Sequence, residues 1–147
     1  MAAGKRSSTE VVIKFDDGPG GTLRRLTGFV LEMGGCKITS KMQASTAYAA
    51  LIETMHPTGV SIIAKMKLRG FMDTSPLAAD PSESGPHLVL KTPDTDPNGG
   101  TRTLRIEFGD SIIWQTECFL ESYEVLGKNA NLTEFESEIQ QNSGGWQ

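Results

Sequence analysis

The sequence predicts a mainly β fold: a β-sandwich or barrel of about seven strands, with one flanking α-helix and one long loop. Three observations carry this. Apolar residues alternate with polar ones along most of the chain, the period of half-buried strands. Clusters of Gly, Pro, Asn and Asp punctuate the alternation at short intervals. A single segment switches to helical spacing. With 147 residues, the chain is expected to form one domain that buries its own core without staples. Its bounds are expected at 1–147, with a flexible N-terminal arm at 1–9, a long loop at 75–100 and a C-terminal tail at 142–147.

In chain order, "TEVVIKFDD" puts Val11, Ile13 and Phe15 on one face, and "GPGG" (Gly18 to Gly21) turns the chain. "LRRLTGFVLEM" resumes with Leu23, Phe29, Leu31 and Met33 on one parity, before Gly34-Gly35 and a short third strand, "CKITSKMQA". In "STAYAALIETMHP", Tyr48, Leu51, Ile52 and Met55 fall at i, i+3, i+4 and i+7, one face of a helix. Ser45 or Thr46 can cap that helix and Pro57 can stop it. "VSIIAKMKLRGFMDT" returns to alternation, with Ile62, Ala64, Met66 and Leu68 opposite Ile63, Lys65, Lys67 and Arg69.

The next segment, "SPLAADPSESGPHLVLKTPDTDPNGG", carries five of the seven prolines and reads as a functional or partly disordered loop. Within it Pro86 can start a helical turn through Leu90, or His87 to Lys91 can form an edge strand; proline at a first helical position favours the turn. Three strands close the chain. "TRTLRIEF" points Leu104, Ile106 and Phe108 inward, "SIIWQTECFLESYEVL" adds Trp114 and Phe119, and "NLTEFESEIQ" adds Phe135 and Ile139. Gly109-Asp110 is a tight-hairpin signal between the first two.

Charge is distributed unevenly. Residues 1–106 hold 13 Lys/Arg and 10 Asp/Glu; residues 107–147 hold one Lys and 8 Asp/Glu. The acidic groups recur along the last two strands: Glu117, Glu121, Glu124, Glu134, Glu136 and Glu138. A chain polarised in this way is suited to facing two different surfaces.

The motifs do not assemble a reaction. "DTDPNG" (Asp94 to Gly99) has the opening spacing of a calcium loop, but its twelfth position, where a bidentate Glu belongs, is Arg105; it reads as a turn. His56 and His87 each adjoin a proline, away from any Cys or carboxylate at metal-ligand spacing. The opening "MAAGKRSSTE" has no apolar run behind its basic residues, so no signal peptide is expected. Cys36 and Cys118 then read as reduced, half-buried strand residues, and the Asn131 glycosylation sequon as chance. "DDGPGGT" lacks the Lys-Ser/Thr and following helix of a phosphate loop. Lys65, Lys67 and Arg69 form a basic strand face, but an acidic final third opposes tight nucleic-acid binding. Catalytic residues, cofactor and metal are each expected to be none, and no stretch is apolar for long enough to be a transmembrane helix.

The order "TRTLRIEFGDS", then "ESYEVLGKNANLTEFESEIQQNSG", resembles the tail tube (major tail) proteins of long-tailed bacteriophages and related phage-like particles. In that family a Gly-Asp hairpin leads into an aromatic strand ending in a Tyr-Glu-Val-type segment, a Gly turn and a strand of Phe-Ser alternation. "ETMHPTGVSIIAKMKLRGFMDTS" is similar to the family's Pro-Gly turn and its strand ending in Gly-Phe/Tyr-Asp. The likeness spans residues 9–141 as a pattern of elements. Cys36 and Cys118 match no family role.

The resemblance implies a structural virion protein. Six copies would form a ring whose inner strands join into one barrel, and rings would stack head-to-tail into a hollow tube carrying DNA to the host. Its partners would be other copies, other tail proteins at the tube ends, and double-stranded DNA passing without specific binding. Its place would be the virion tail, assembled in the host cytoplasm. The six glutamates would line the bore and repel DNA, or meet a positive surface of the next ring; a solvated strand face is the third reading. Asp80, Pro81, Ser82 and Glu83 would touch a neighbouring subunit. The competing readings are a monomeric β-sandwich binding module, taking carbohydrate through an exposed Trp114 or Trp146, and a Cys-dependent hydrolase.

Overall fold

The computed structural model describes residues 11–44, 54–109, 111–127 and 133–147. The strands are β1 (Val12–Asp16), β2 (Leu23–Arg25), β3 (Val30–Gly34), β4 (Ile38–Ala44), β5 (Met55–Ile63), β6 (Met66–Phe71), β7 (Arg102–Glu107), β8 (Ile113–Leu126) and β9 (Glu134–Trp146). A 3-10 turn at Thr27–Phe29 links β2 to β3, and one short helix, α1 (Pro86–Leu90), lies in the long segment before β7. The mainly β class and the helical turn at Pro86 are as the sequence predicts.

Seven strands form one antiparallel sheet in the order β2-β1-β7-β8-β9-β6-β3, and β4 and β5 form a separate two-stranded ribbon. Laid flat at about 4.8 Å per strand, the two end strands would stand about 29 Å apart. The five Cα steps from Arg25 to Val30 reach at most about 18 Å. The sheet therefore curls, bringing β2 towards β3. Where β3 pairs with β6, glycine permits a close approach: a side chain at Gly70 would run into the Phe29 carbonyl and Val30 Cα.

The core lies on the sheet's inner face. Ile13 and Phe15 of β1, Leu104 and Ile106 of β7, Trp114, Cys118 and Leu120 of β8, and Phe135 and Ile139 of β9 are buried there with Met66 and Leu68 of β6. Leu26, Val89 and Leu90 complete the same cluster, so α1 contributes to the core. Phe119 is half-buried on the other face, because Cys118 and Leu120 hold the inward parity of β8. Phe108 is half-buried where β7 ends.

Four sequence expectations are corrected. Residues 23–33 are not one strand: β2 stops at Arg25, Leu26 turns inward, and Leu31 is exposed on β3. Residues 60–71 are two strands, since the chain leaves the ribbon at Ala64 and enters the main sheet at Met66; Ile62 is consequently exposed. Of the predicted helix, Tyr48, Leu51 and Ile52, with the cap at Ser45 or Thr46, lie outside the described residues. Met55 and Pro57, however, belong to β5, where Met55 pairs with Ala44 and Pro57 with Met42. A two-stranded ribbon has unpaired edges that accept a proline lacking its N–H. The expected tail at 142–147 is strand as far as Trp146, because Gly144 and Trp146 pair with Thr116 and Trp114. The arm at 1–9 and the sequon at Asn131 lie outside the described residues.

The segment 75–100 is pinned at both ends. In its first half Ser84 is buried, and its N–H donates to the Arg25 carbonyl of β2 at 2.9 Å. Near its end Arg102, 3% exposed, holds Asp94 in a charge-assisted fork with nitrogen–oxygen distances of 2.9 to 3.1 Å. The remaining Arg102 donors reach the Val89 and Thr92 carbonyls at 3.1 and 2.8 Å. Asp94 Oδ2 also accepts from Leu120 N–H at 2.8 Å.

Candidate functional site

Three surface features distinguish this domain: a charged ladder, a projecting ribbon and a strap. The ladder answers why carboxylates gather in the last third of the chain. β6 pairs with β9, setting Lys67 beside Glu138 and Arg69 beside Glu136. On this outer face Lys65 reaches Glu121 at 2.9 Å and Glu138 at 3.6 Å, Lys67 reaches Glu138 at 3.8 Å, and Arg69 reaches Glu134 at 2.9 Å. The hydrogen bond and charge of Glu121 raise the Lys65 pKa; Glu134 does the same for Arg69. Each β6 cation thus has a carboxylate within 4 Å.

The acidic groups still outnumber the cations. Six glutamates of β8 and β9 face three cations, Lys67 and Arg69 of β6 and Lys65 just before it. Glu117 takes a hydrogen bond from Thr103 at 2.9 Å. Glu124 stands directly across the strand pair from Glu136, a like-charge register that is mildly destabilising. The structure thus brings all six predicted glutamates onto adjoining strands, beside a basic strand that the sequence placed far away.

The ribbon projects from the end of the sheet. Both its strands are exposed over nearly their whole length, and Ile38, Met42, Met55, Val60 and Ile62 are each between 42 and 54% exposed. The register moves two residues along β4 and four along β5 between Ser40↔Ser61 and Met42↔Pro57. An even insertion keeps the faces aligned, so Ile38, Met42, Met55 and Pro57 share one side. At the base, Ile38 Cδ1 lies over Gly145, next to half-exposed Trp146. The described part of the ribbon carries Lys37, Lys41 and His56 and no acidic residue.

One buried residue anchors the ribbon. Gln141 Nε2 donates to the Gly35 carbonyl at 2.8 Å and the Ala64 carbonyl at 2.7 Å, the two points where the ribbon leaves and rejoins the sheet. Its Oε1 accepts from Trp114 Nε1 at 2.6 Å and Thr116 Oγ1 at 3.1 Å. A two-stranded ribbon is marginal alone; its position here depends on that side chain. No periodicity in the sequence flags Gln141, since its partners are distant in the chain.

The strap is 78–84, which contains the predicted loop residues Asp80, Pro81, Ser82 and Glu83. Within this chain Asp80 pairs with Lys14 at 3.0 Å and Glu83 with Arg25 at 3.2 Å.

The remaining candidates are placed as follows. Asp94 is taken by Arg102, and Asp96 caps a turn by accepting from Asn98 N–H at 2.9 Å. Cys118 is buried with its thiol donating to the Arg102 carbonyl at 3.3 Å, and burial raises its pKa. Burial raises Cys36 to about 11. Such thiols are poor nucleophiles near neutrality, which opposes the hydrolase reading. His87 Nδ1 shares a 3.1 Å hydrogen bond with Tyr123, while His56 is exposed on the ribbon. Trp114 is fully buried and has no free face for a sugar; Trp146 packs edge-on against it at 5.0 Å. Among the described residues no group of three or more His, Cys, Asp or Glu is placed to hold a metal, and no helix is long and apolar enough to cross a membrane.

No family model and no curated protein matches the sequence. Solved structures do match in fold. A chain from the tail of an empty gene transfer agent particle, obtained by helical refinement with C6 symmetry, has a TM-score of 0.67 at 10% identity, over 97% of this chain and 99% of that one. A chain from the virion of a native gene transfer agent particle has a TM-score of 0.63 at 10% identity, with the same coverage. One from the six-fold symmetrised baseplate of the anti-feeding prophage has a TM-score of 0.62 at 8% identity, over 100% of this chain and 97% of that one. These neighbours are chains from the tail, the virion and the baseplate of phage-like particles. Along essentially its whole length, this chain has the phage tail-tube-like fold that they share.

Proposed function

We propose that this protein is a structural component of the tail of a phage-like particle, and that copies of it assemble into six-membered rings stacked head-to-tail as a tube. The observation that carries this reading is the ribbon. A domain with a complete core nevertheless extends a polar-backboned, apolar-sided arm into solvent, at a cost that contact with a second copy recovers. Six-fold and helical symmetry in the particles that share the fold supports the ring and the stack. A heterologous contact whose rotation closes gives a ring.

The charged ladder fits a conduit for DNA. A surface lining the bore must let a polyanion slide. Here the β6 cations are held by glutamates, and surplus carboxylates at Glu117, Glu124 and Glu136 leave the β8–β9 face net negative, which repels phosphate.

The test is assembly. Sedimentation velocity and negative-stain microscopy of the purified protein at rising concentration should reveal rings or tubes. The double variant Met42→Asp, Met55→Asp should keep the wild-type circular dichroism spectrum yet remain monomeric. Strict monomers of the wild-type chain at every concentration, with or without a nucleating tail end, would overturn the reading.

A further inference from the structure

The ribbon carries two of the five methionines among the described residues, and these two are the exposed ones. Met42 of β4 is 51% exposed and Met55 of β5 is 53% exposed. Met66 is fully buried in the core, and Met33 and Met72 are half-buried. Met42 pairs with Pro57 and Ala44 with Met55, so the two thioethers stand on neighbouring strands and on the same side of the ribbon. The thiols compete poorly for a mild oxidant, since a protonated or buried sulfur reacts slowly. Cys118 is buried, and burial raises the Cys36 thiol to about 11.

We propose that Met42 and Met55 form an oxidation site for peroxides, and that their sulfoxides keep the free subunit from assembling until they are reduced. In the forward step the thioether sulfur attacks one peroxide oxygen and the O–O bond breaks. The sulfur gains that oxygen and is oxidised by two electrons, while hydrogen peroxide is reduced to water. In the reverse step the dithiol of a methionine sulfoxide reductase supplies two electrons and two protons. The oxygen then leaves as water and a disulfide forms. What changes is polarity: each sulfoxide turns a flexible apolar side chain into a polar, chiral one. The fold stays, because the β4–β5 backbone pairs and the 2.9 Å bond from Thr58 Oγ1 to the Lys41 carbonyl involve no sulfur. The side shared by Ile38, Met42, Met55 and Pro57 then carries two polar groups whose burial has a cost. Selectivity runs the other way too: a sulfur covered by a second copy is shielded, so the switch acts on free subunits and spares assembled ones.

This inference rests on the self-assembly reading, and the experiment separates the two. Purified protein is treated with dilute hydrogen peroxide, mapped by peptide mass spectrometry, and compared with untreated protein by sedimentation velocity. Met42 and Met55 should each gain one oxygen before Met33, Met72 or Met66 does, with the circular dichroism spectrum unchanged. The concentration needed for assembly should rise several-fold. Methionine sulfoxide reductases of both epimer specificities, with dithiothreitol, should bring it back. A Met33→Leu, Met72→Leu variant, which lacks the half-buried sulfurs, should respond to peroxide as wild type does. Oxidation of Met66 as fast as Met42 and Met55, or loss of the response in that variant, overturns the site. Equal assembly of oxidised and untreated protein overturns the switch and leaves the assembly reading intact. Failure of untreated wild type to assemble overturns both.

Discussion

Trp114 and Gln141 lie 27 positions apart in the chain and share a buried hydrogen bond of 2.6 Å. That bond fixes the amide so that its nitrogen faces the Gly35 and Ala64 carbonyls. One side chain thereby couples the aromatic core of β8 to both roots of the ribbon.

Gln141→Leu should therefore destabilise the protein well beyond its change in volume. It removes the shared partner of Trp114, Thr116, Gly35 and Ala64, and each group left unsatisfied while buried costs about 1–3 kcal/mol. Thermal melts should register a loss of several degrees relative to Gln140→Leu, whose side chain is exposed on the same strand. Equal melting temperatures would mean that water replaces the amide at no cost.

Arg102 and Asp94 form the most deeply buried ion pair described, with side chains 3% and 9% exposed. Removing one partner leaves the other charge buried, a loss of about 3–5 kcal/mol. Asp94→Ala should cost that much and release the segment before β7, visible as faster hydrogen exchange at Leu120, whose N–H bonds Asp94. Removing both with Asp94→Leu, Arg102→Leu should cost less than the sum of the single changes.

Phe135 and Phe119 test the strand register. Phe135→Ala deletes a fully buried ring stacked 5.7 Å from Tyr123 and should cost about 3–5 kcal/mol. Phe119→Ala, on the half-buried outer face, should cost clearly less in the same urea titration. Similar losses would place both rings in one core.

Asp16 gives the pH dependence a sign. Burial, reinforced by Glu117 and Asp17, raises its pKa above 3.8, although hydrogen bonds from Thr103 pull the other way. A carboxyl with a raised folded-state pKa contributes stability that is fully present below the unfolded value and lost as pH rises through the folded value. Asp16→Asn keeps an acceptor for the Thr103 N–H and cannot ionise. The variant should gain on wild type as pH rises from about 3.5 to 7, and chemical denaturation at several pH values would measure it. A gap that shrinks over that range contradicts the burial argument.

Local pattern determined much of this protein. Alternation fixed which residues of β1, β7 and β9 face inward, since a half-buried strand writes its two faces into every second residue. Pro86 marked α1 because proline fits a first helical turn. The sequence also concentrated the glutamates on the last two strands. Tertiary structure alone decided that β6 lies beside β9, so that Lys65, Lys67 and Arg69 meet those glutamates across about seventy residues of chain. It decided equally that Met55 and Pro57 belong to a ribbon anchored by Gln141. Met55 stands at helical spacing from Tyr48, Leu51 and Ile52 in the sequence, yet Met55 itself pairs with Ala44 in β5. Strand order and side-chain partnership depend on contacts between distant segments, which no local period records.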